Sequence, residues 1–278
     1  MTGVIDVGGG LRDIYGAGVF DTCLDMNLYF DCCIAVSAGA ANVVSFLAKQ
    51  DKRNYRFYTD YVFRKEYMSI SNVRDGRHFL DLDYVYGELS NDDGEDPLDY
   101  GNIENYNGIL NIVATHAITG RPCYFDKSDI KPNNFRIIKA SSSIPIVCGR
   151  TEINGQIYYD GGIADPIPIK KALELGCDRI VLILTRPKDF EVLPKTDLMI
   201  ASLMDEECHK CANALRVRSL RYNRMLRYAR RLEEEGRCLI VAPDDTCGVE
   251  TLTRDKDKLD ALYHKGVEDG KRIKDFIL

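Results

Sequence analysis

The sequence is short of several features that would point to particular classes of protein. It has no tryptophan, only four histidines and no excess of positive charge, because 37 Lys and Arg residues face 43 Asp and Glu residues for a net charge of −6. A nucleic-acid-binding protein needs a surplus of clustered positive charge, so we expect no nucleic-acid partner. No apolar run approaches the roughly 20 residues of a membrane-spanning helix, and no basic segment precedes an apolar one at the N-terminus. We therefore expect a cytoplasmic protein.

A metal-binding or disulfide-bonded framework is also missing. Ten cysteines are scattered along the chain, and Cys208 and Cys211 form the only Cys-x-x-Cys pair. A structural zinc site would need a second pair at a suitable spacing. Zinc or redox chemistry at this pair is therefore the weaker alternative. We expect free, mostly buried thiols, and no cofactor.

What the chain does have is an alternation of apolar strands and helices. Helices are predicted at residues 17–27 and 38–50, with a third around 55–62. Strands are predicted at residues 3–7, 31–36, 108–115, 135–140, 179–185 and 238–242. This alternation predicts an α/β fold, a three-layer sandwich with a central, mostly parallel sheet and helices on both faces. A chain of 278 residues should form one large domain, or at most two small ones, and we assign residues 1–278 to a single domain.

An acidic stretch occupies residues 78–107. No Lys or Arg occurs between His78 and Gly120, and the order of acidic residues and glycine does not match an EF-hand loop. We predict an insertion or mobile cover over a cleft, with a calcium site as the weaker alternative.

An arginine-rich helix is predicted at about 197–235. Its apolar stripe would consist of Tyr222, Met225, Ala229 and Leu232. The arginines recur every three residues, so they drift around the helix and do not form one flat basic face. We expect a solvated helix, and the alternative is contact between its arginines and anionic lipid head groups. The arginines are Arg218, Arg221, Arg224, Arg227 and Arg230.

The first motif with chemical meaning is the glycine-rich turn between the first strand and the first helix. Gly8, Gly9 and Gly10 are followed by Arg12, and backbone amides in such a turn can hold an anion. The anion would be either a dinucleotide phosphate or the oxyanion of an acyl-transfer intermediate. A dinucleotide motif needs glycine where this chain has Asp13, and an acid at the end of the second strand. Both are missing, so the sequence favours the oxyanion.

The second motif is a serine at a strand-to-helix turn. Ser37 follows the second predicted strand and is flanked by Ala35 and Gly39, which is typical of a nucleophile elbow. The alternative is a structural helix cap.

The third motif is Asp160-Gly161-Gly162, which follows a hairpin turn signal at Asn154-Gly155. The aspartate would point either into a site or back to its own turn.

The order of these three motifs resembles the patatin-like phospholipase family. The segment at residues 140–145 adds to this resemblance, and the segments at 242–245 and 266–270 resemble a bacterial subgroup. The resemblance implies a patatin-like fold and a serine acyl-ester hydrolase acting on phospholipid, lysophospholipid or other fatty-acyl esters, with transient membrane-surface contact. Its implied residues are Ser37 as nucleophile, Asp160 as base, Gly8, Gly9, Gly10 and Arg12 in the oxyanion hole, and Gly39, Gly161 and Gly162 as motif support.

Chemistry allows a dyad of this kind. A serine hydroxyl becomes a useful nucleophile when a positioned base accepts its proton, and an aspartate within hydrogen-bond reach can do so. The four histidines lie in no recognisable motif, which fits a dyad. Two alternatives stay open at this point: a triad hydrolase that uses His264, and a non-catalytic lipid- or nucleotide-binding protein on the same scaffold. The sequence makes no prediction of oligomeric state.

Overall fold

The computed structural model describes residues 1–204 and 206–277. Within them, strands pair into one sheet in the order β5-β6-β3-β2-β1-β7-β8, and β4 also pairs with β3. The strands are β1 (Thr2–Asp6), β2 (Cys32–Val36), β3 (Ile109–His116), β4 (Pro122–Asp126), β5 (Thr151–Ile153), β6 (Gln156–Asp160), β7 (Arg179–Ile183) and β8 (Cys238–Val241). Strands β1, β2, β3, β7 and β8 run parallel, whereas β4 and β6 pair antiparallel with β3. The sheet is therefore mixed and mostly parallel.

Helices cover both faces of this sheet. They are α1 (Ile14–Asp25), α2 (Ala38–Leu47), α3 (Arg53–Thr59), α4 (Ile70–Arg74), α5 (Tyr100–Glu104), α6 (Arg136–Ser141), α7 (Ile169–Glu174), α8 (Lys195–Ser202), α9 (His209–Arg216), α10 (Arg218–Glu234), α11 (Lys256–Gly270) and α12 (Arg272–Ile277). None of the helices in the described residues is long and apolar enough to span a membrane.

Alternation along the strands divides the core between the two faces. Val4 and Val181 pack into the core under α1, α2 and α11. Their neighbours Ile5 and Leu182 pack into a second core under α7 and α10. A strand whose side chains are buried on both faces of the sheet must be apolar at every position. The predicted three-layer α/β fold is confirmed.

Five of the six predicted strands are present within two residues of their predicted ends, but the strand at 135–140 is wrong. That segment forms α6, and its buried residues Ile137, Ile138, Ala140 and Ser141 follow helical spacing. A short apolar run does not by itself distinguish a strand from one buried side of a helix. The predicted hairpin at Asn154-Gly155 joins β5 to β6.

The single helix predicted at 197–235 is also wrong, because three helices occupy that region. α8 and α9 pack against each other, and α10 starts after one non-helical residue, Val217. The predicted apolar stripe of α10 is confirmed, since Tyr222, Met225, Ala229 and Leu232 are all buried. Contact between its arginines and lipid head groups stays a prediction.

The acidic stretch packs against the rest of the protein through both charge and apolar contacts. Asp96 is buried and pairs with Arg53 and Arg56, and Glu95 pairs with Arg64. In the described residues, no group of three or more His, Cys, Asp and Glu side chains is arranged to hold a metal ion. Whether this segment moves stays a prediction.

The C-terminal helix α11 packs directly on α1. The Tyr15 hydroxyl donates to Asp269, and the Thr22 hydroxyl donates to the Val267 carbonyl. The approach is close, since a Cβ at Gly18 would stand 2.3 Å from the Tyr263 carbonyl oxygen. The C-terminal region therefore belongs to the same packed body as the glycine-rich turn, which immediately precedes α1.

Candidate active site

The predicted catalytic residues meet at the edge of the sheet where the parallel strands end. Ser37 follows β2, while Asp160 ends β6 and pairs with Ala114 of β3. The residue before Ala114, Val113, pairs with Val36 of β2. This register brings Ser37 and Asp160, which are 123 residues apart in sequence, to the same level.

Ser37 has a backbone conformation that residues other than glycine rarely adopt. Its φ is 58° and its ψ is −131°, in a sharp turn between β2 and α2. Small neighbours make room for the turn, because a Cβ at Gly39 would stand 2.7 Å from the Asp6 carbonyl oxygen. The hydroxyl makes no capping hydrogen bond to α2, so Ser37 is not a conventional helix cap. The geometry is that of a nucleophile elbow.

The Ser37 hydroxyl donates a hydrogen bond of 2.5 Å to Oδ2 of Asp160. The other carboxylate oxygen of Asp160 accepts the amide of Gly162 at 2.8 Å, so the aspartate bonds both its own turn and the serine. Burial raises the pKa of Asp160, and the hydrogen bonds from Ser37 and Gly162 oppose that increase. The result is a buried carboxyl group with a fixed orientation toward a serine hydroxyl.

The glycine-rich turn lies against the serine elbow. All three glycines have positive φ, and a Cβ at Gly8 would stand 2.4 Å from the Val36 carbonyl oxygen. The Gly8 amide donates to Asp6, and the Gly8 carbonyl accepts the Thr185 hydroxyl. The amides of Gly9 and Gly10 donate no hydrogen bond in the part of the chain that the structure describes. They are therefore available to an oxyanion beside the serine.

Arg12 lies on the same turn and is almost fully buried. Its Nη1 donates to the Thr251 hydroxyl at 2.9 Å and pairs with Glu250 at 3.4 Å. Its Nη2 is 3.3 Å from the point where a Cβ of Gly9 would stand. The guanidinium therefore ties the turn to the loop after β8 and places positive charge next to it.

We compared the sequence of this chain with models of known protein families. The family model of patatin-like phospholipase matches residues 7–173, a range that contains the glycine-rich turn, Ser37 and Asp160. The chain belongs to the patatin-like phospholipase family. A second family model, a domain of unknown function (DUF6363), matches residues 208–277, which contribute β8 and α9 to α12 to the fold.

Two individual proteins are similar to this patatin-like chain. It is 28% identical over 201 residues to the uncharacterized protein YjjU of Escherichia coli strain K12, an alignment that covers 68% of this chain and 53% of YjjU. The chain thus spans about half the length of that curated relative. In structure it is similar to VipD of Legionella pneumophila with a TM-score of 0.48 and 13% identity, covering 99% of this chain and 66% of the VipD chain.

An apolar pocket opens beside Ser37 of this patatin-like protein. Its lining is mainly apolar and includes Tyr58, Val85 and Ile144. Ala41 and Phe57 also line it, together with Leu80 and Leu82 from the acidic stretch. The stretch predicted to be an insertion or cover is thus a wall of the pocket.

The serine-rich segment before β5 holds both members of the Ser37–Asp160 pair. The Ser141 hydroxyl accepts the Ser37 amide at 2.8 Å, and the Ser143 carbonyl accepts the Asp160 amide at 2.9 Å. In the sequence analysis, residues 140–145 support the family resemblance, but no role in the site is predicted for them. The signal for its role would have been its position immediately before the Asp-Gly-Gly hairpin.

Two arginines of α10 support the Asp-Gly-Gly turn, a role that the sequence did not predict. Arg218 Nε donates to the Gly162 carbonyl at 3.0 Å, and Arg221 donates to the Ile163 carbonyl at 2.9 Å. The charge of Arg218 also lowers the pKa of Asp160, although less than burial raises it. Arg218 is therefore a positioning residue for Asp160.

No histidine in the described residues hydrogen-bonds to Ser37 or Asp160. His264, the candidate for a triad, is an exposed residue of α11 and pairs with Asp260 at 3.6 Å. The geometry therefore favours a two-residue arrangement.

Proposed function

We propose that this protein is a serine acyl-ester hydrolase that acts on fatty-acyl lipid esters through a Ser37–Asp160 dyad. The observation that carries the proposal is the hydrogen bond of 2.5 Å from the Ser37 hydroxyl to a buried carboxylate oxygen of Asp160. Membership of the patatin-like phospholipase family supports the reaction class.

In the first half-reaction, Ser37 Oγ attacks the carbonyl carbon of the ester while Asp160 accepts the hydroxyl proton. The tetrahedral intermediate collapses when the carbon–oxygen bond to the leaving alcohol breaks, and Asp160 returns the proton to that alcohol. An acyl group is then esterified to Ser37. In the second half-reaction, water attacks this ester, Asp160 accepts a proton from the water, and the released serine regains it.

Aspartate is a weak base, so stabilisation of the oxyanion carries much of the rate enhancement. The Gly9 and Gly10 amides are the proposed donors, and the guanidinium of Arg12 adds positive charge beside them. A single donor of this kind typically contributes about 3–4 kcal/mol to the transition state. Gly8 supports the turn from below, because its amide is already bonded to Asp6.

The pocket beside the proposed nucleophile supports the proposed substrate class. Its aliphatic and aromatic lining favours a fatty-acyl chain over a polar acid. We propose that the acyl chain enters this pocket and that the alcohol departs toward solvent.

The test is hydrolysis of a set of fatty-acyl esters that includes p-nitrophenyl butyrate, a lysophospholipid and a phospholipid. We expect turnover by the wild-type protein and its loss, with the fold retained, in Ser37→Ala. Ser142→Ala is the matched control, because Ser142 lines the same pocket but its hydroxyl bonds to the Tyr86 hydroxyl and to no carboxylate of the described residues. Lipid binding without turnover would instead favour the non-catalytic lipid-binding alternative.

A further inference from the structure

Two carboxyl groups are buried together beneath the glycine-rich turn. Asp6, at the end of β1, and Asp13, immediately before α1, are both completely buried. Both groups face Gly16, where an added Cβ would stand 2.7 Å from Asp6 Oδ2 and 2.5 Å from Asp13 Oδ1. The two carboxyl groups therefore lie close together, away from solvent and beside the glycine-rich turn.

The two aspartates differ in how their oxygens are satisfied. Asp6 accepts the Gly8 amide at 3.0 Å and the Asn42 side-chain amide at 3.2 Å. Neither carboxyl oxygen of Asp13 accepts a hydrogen bond from an N–H or hydroxyl group in the described residues. Burying an ionised carboxylate without a donor is very costly. Since Asp6 Oδ2 and Asp13 Oδ1 converge on the same point at Gly16, a proton held between them would satisfy both carboxyl groups.

The other groups that face this pair do not remove the need for that proton. Arg12 bonds to Thr251, so its charge attracts Asp13 without pairing with it. Tyr58 of α3 and Tyr86 lie near Asp13, and burial raises the pKa of both phenols, which keeps them neutral. Burial also raises the pKa of Asp6 to about 6, and burial and the Asp6 charge raise the pKa of Asp13 well above its usual range.

We propose that Asp6 and Asp13 share one proton and, as positioning residues, hold the oxyanion turn in its active conformation. The protonated Asp13 donates to Asp6, and the Asp6 carboxylate fixes the Gly8 amide at the start of the turn. Loss of the shared proton leaves two like charges buried side by side, and their repulsion displaces the turn. The effect on catalysis rests on the proposed function, whereas the shared proton itself does not.

The experiment compares the wild type with Asp13→Asn, whose amide donates to Asp6 at every pH. The matched control is Asp21→Asn. Asp21 is another buried carboxyl group and lies in α1, but it accepts a hydrogen bond from the Tyr263 hydroxyl and makes no contact with the glycine-rich turn among the hydrogen bonds of the described residues. Infrared difference spectra at neutral pH report the carbonyl band of a protonated carboxyl group. We expect this band in the wild type and in Asp21→Asn, and its loss in Asp13→Asn.

Two further measurements test what the proton does. In the wild type, the native state retains a proton that the unfolded state has lost, so the free energy of unfolding should fall as pH rises above about 4. Asp13→Asn should flatten that decrease. From neutral to alkaline pH, kcat/KM should fall by about tenfold or more in the wild type, because misplaced oxyanion donors stabilise the transition state poorly. The fall should be the same in Asp21→Asn and much smaller in Asp13→Asn.

The shared proton is refuted if the infrared band is the same in Asp13→Asn as in the wild type. The positioning role is refuted if the two proteins lose activity in parallel at alkaline pH. Absence of wild-type ester hydrolysis would contradict the proposed function instead, and the spectra and unfolding curves would still decide the shared proton.

Discussion

Replacing Asp160 by asparagine separates its role as a base from its role in the turn. The carboxylate accepts two hydrogen bonds, from the Ser37 hydroxyl at 2.5 Å and from the Gly162 amide at 2.8 Å. Asparagine has the same shape but only one acceptor oxygen. If its oxygen faces Gly162, its NH₂ group faces Ser37 and cannot take the proton. If its oxygen faces Ser37, two N–H groups confront each other at Gly162.

Either orientation removes a working base, and a lost general base typically costs about 10²–10⁴-fold in rate. We expect kcat for p-nitrophenyl butyrate to fall by about 10³-fold, which corresponds to about 4 kcal/mol in the transition state. The free energy of unfolding should change by no more than about 1–2 kcal/mol. One hydrogen bond of the turn is lost, but the cost of burying a charge disappears as well.

The assay pairs ester hydrolysis with thermal unfolding of the same preparations. The control is Asp165→Asn, since Asp165 is a nearby, partly buried carboxyl group whose partner is Tyr124. Its activity should stay within about threefold of the wild type, as expected for a residue outside the reacting groups. Activity of Asp160→Asn within a few-fold of the wild type, or an equal loss in the control, would refute the assignment of Asp160 as base.

Three other predictions follow from the site. Arg218→Gln removes a charge that lowers the pKa of Asp160, so the acid limb of the kcat/KM profile should move to higher pH, whereas Arg227→Gln on the exposed side of α10 should leave it in place. Alanine at any one of the four histidines should keep activity within about tenfold of the wild type, because no histidine acts in a dyad, whereas loss of a triad member typically costs about 10⁴-fold. A single histidine variant that is folded but inactive would overturn the dyad. Ala41→Phe should shorten the pocket and lower kcat/KM for long-chain relative to butyryl esters by about tenfold or more, since each methylene contributes about 1–3 kcal/mol, and an unchanged chain-length preference would show that acyl chains bind elsewhere.

Local sequence patterns were sufficient to predict the central strands of the sheet. Continuous apolar runs predicted β1, β2 and β7 because both faces of the sheet are covered. The strand predicted at 135–140 was wrong because an apolar run of six residues fits a strand and one buried side of a helix equally well. The helix predicted at 197–235 is instead three helices, and no proline or glycine in the sequence marks where one ends and the next begins.

In the candidate site, too, the sequence predicted residues with a local signature but not the contacts between distant parts of the chain. Ser37 and Asp160 each lie in a turn with a local signature, so the sequence indicated both residues, but their approach depends on pairing through β3. The bond from Ser37 to Ser141 spans 104 residues, and the bond from Arg218 to Gly162 spans 56. Such long-range contacts between side chain and backbone leave no periodic pattern, which is why the sequence did not predict them.

The most direct test of the central claim is covalent labelling with a fluorophosphonate, followed by mapping of the modified residue by mass spectrometry. The probe reacts with a serine that has an activated hydroxyl and an adjacent oxyanion site. We predict modification of the wild-type protein at Ser37, strongly reduced modification in Asp160→Asn, and none in Ser37→Ala. Modification at another serine, or labelling that persists in a folded Ser37→Ala variant, would contradict the account.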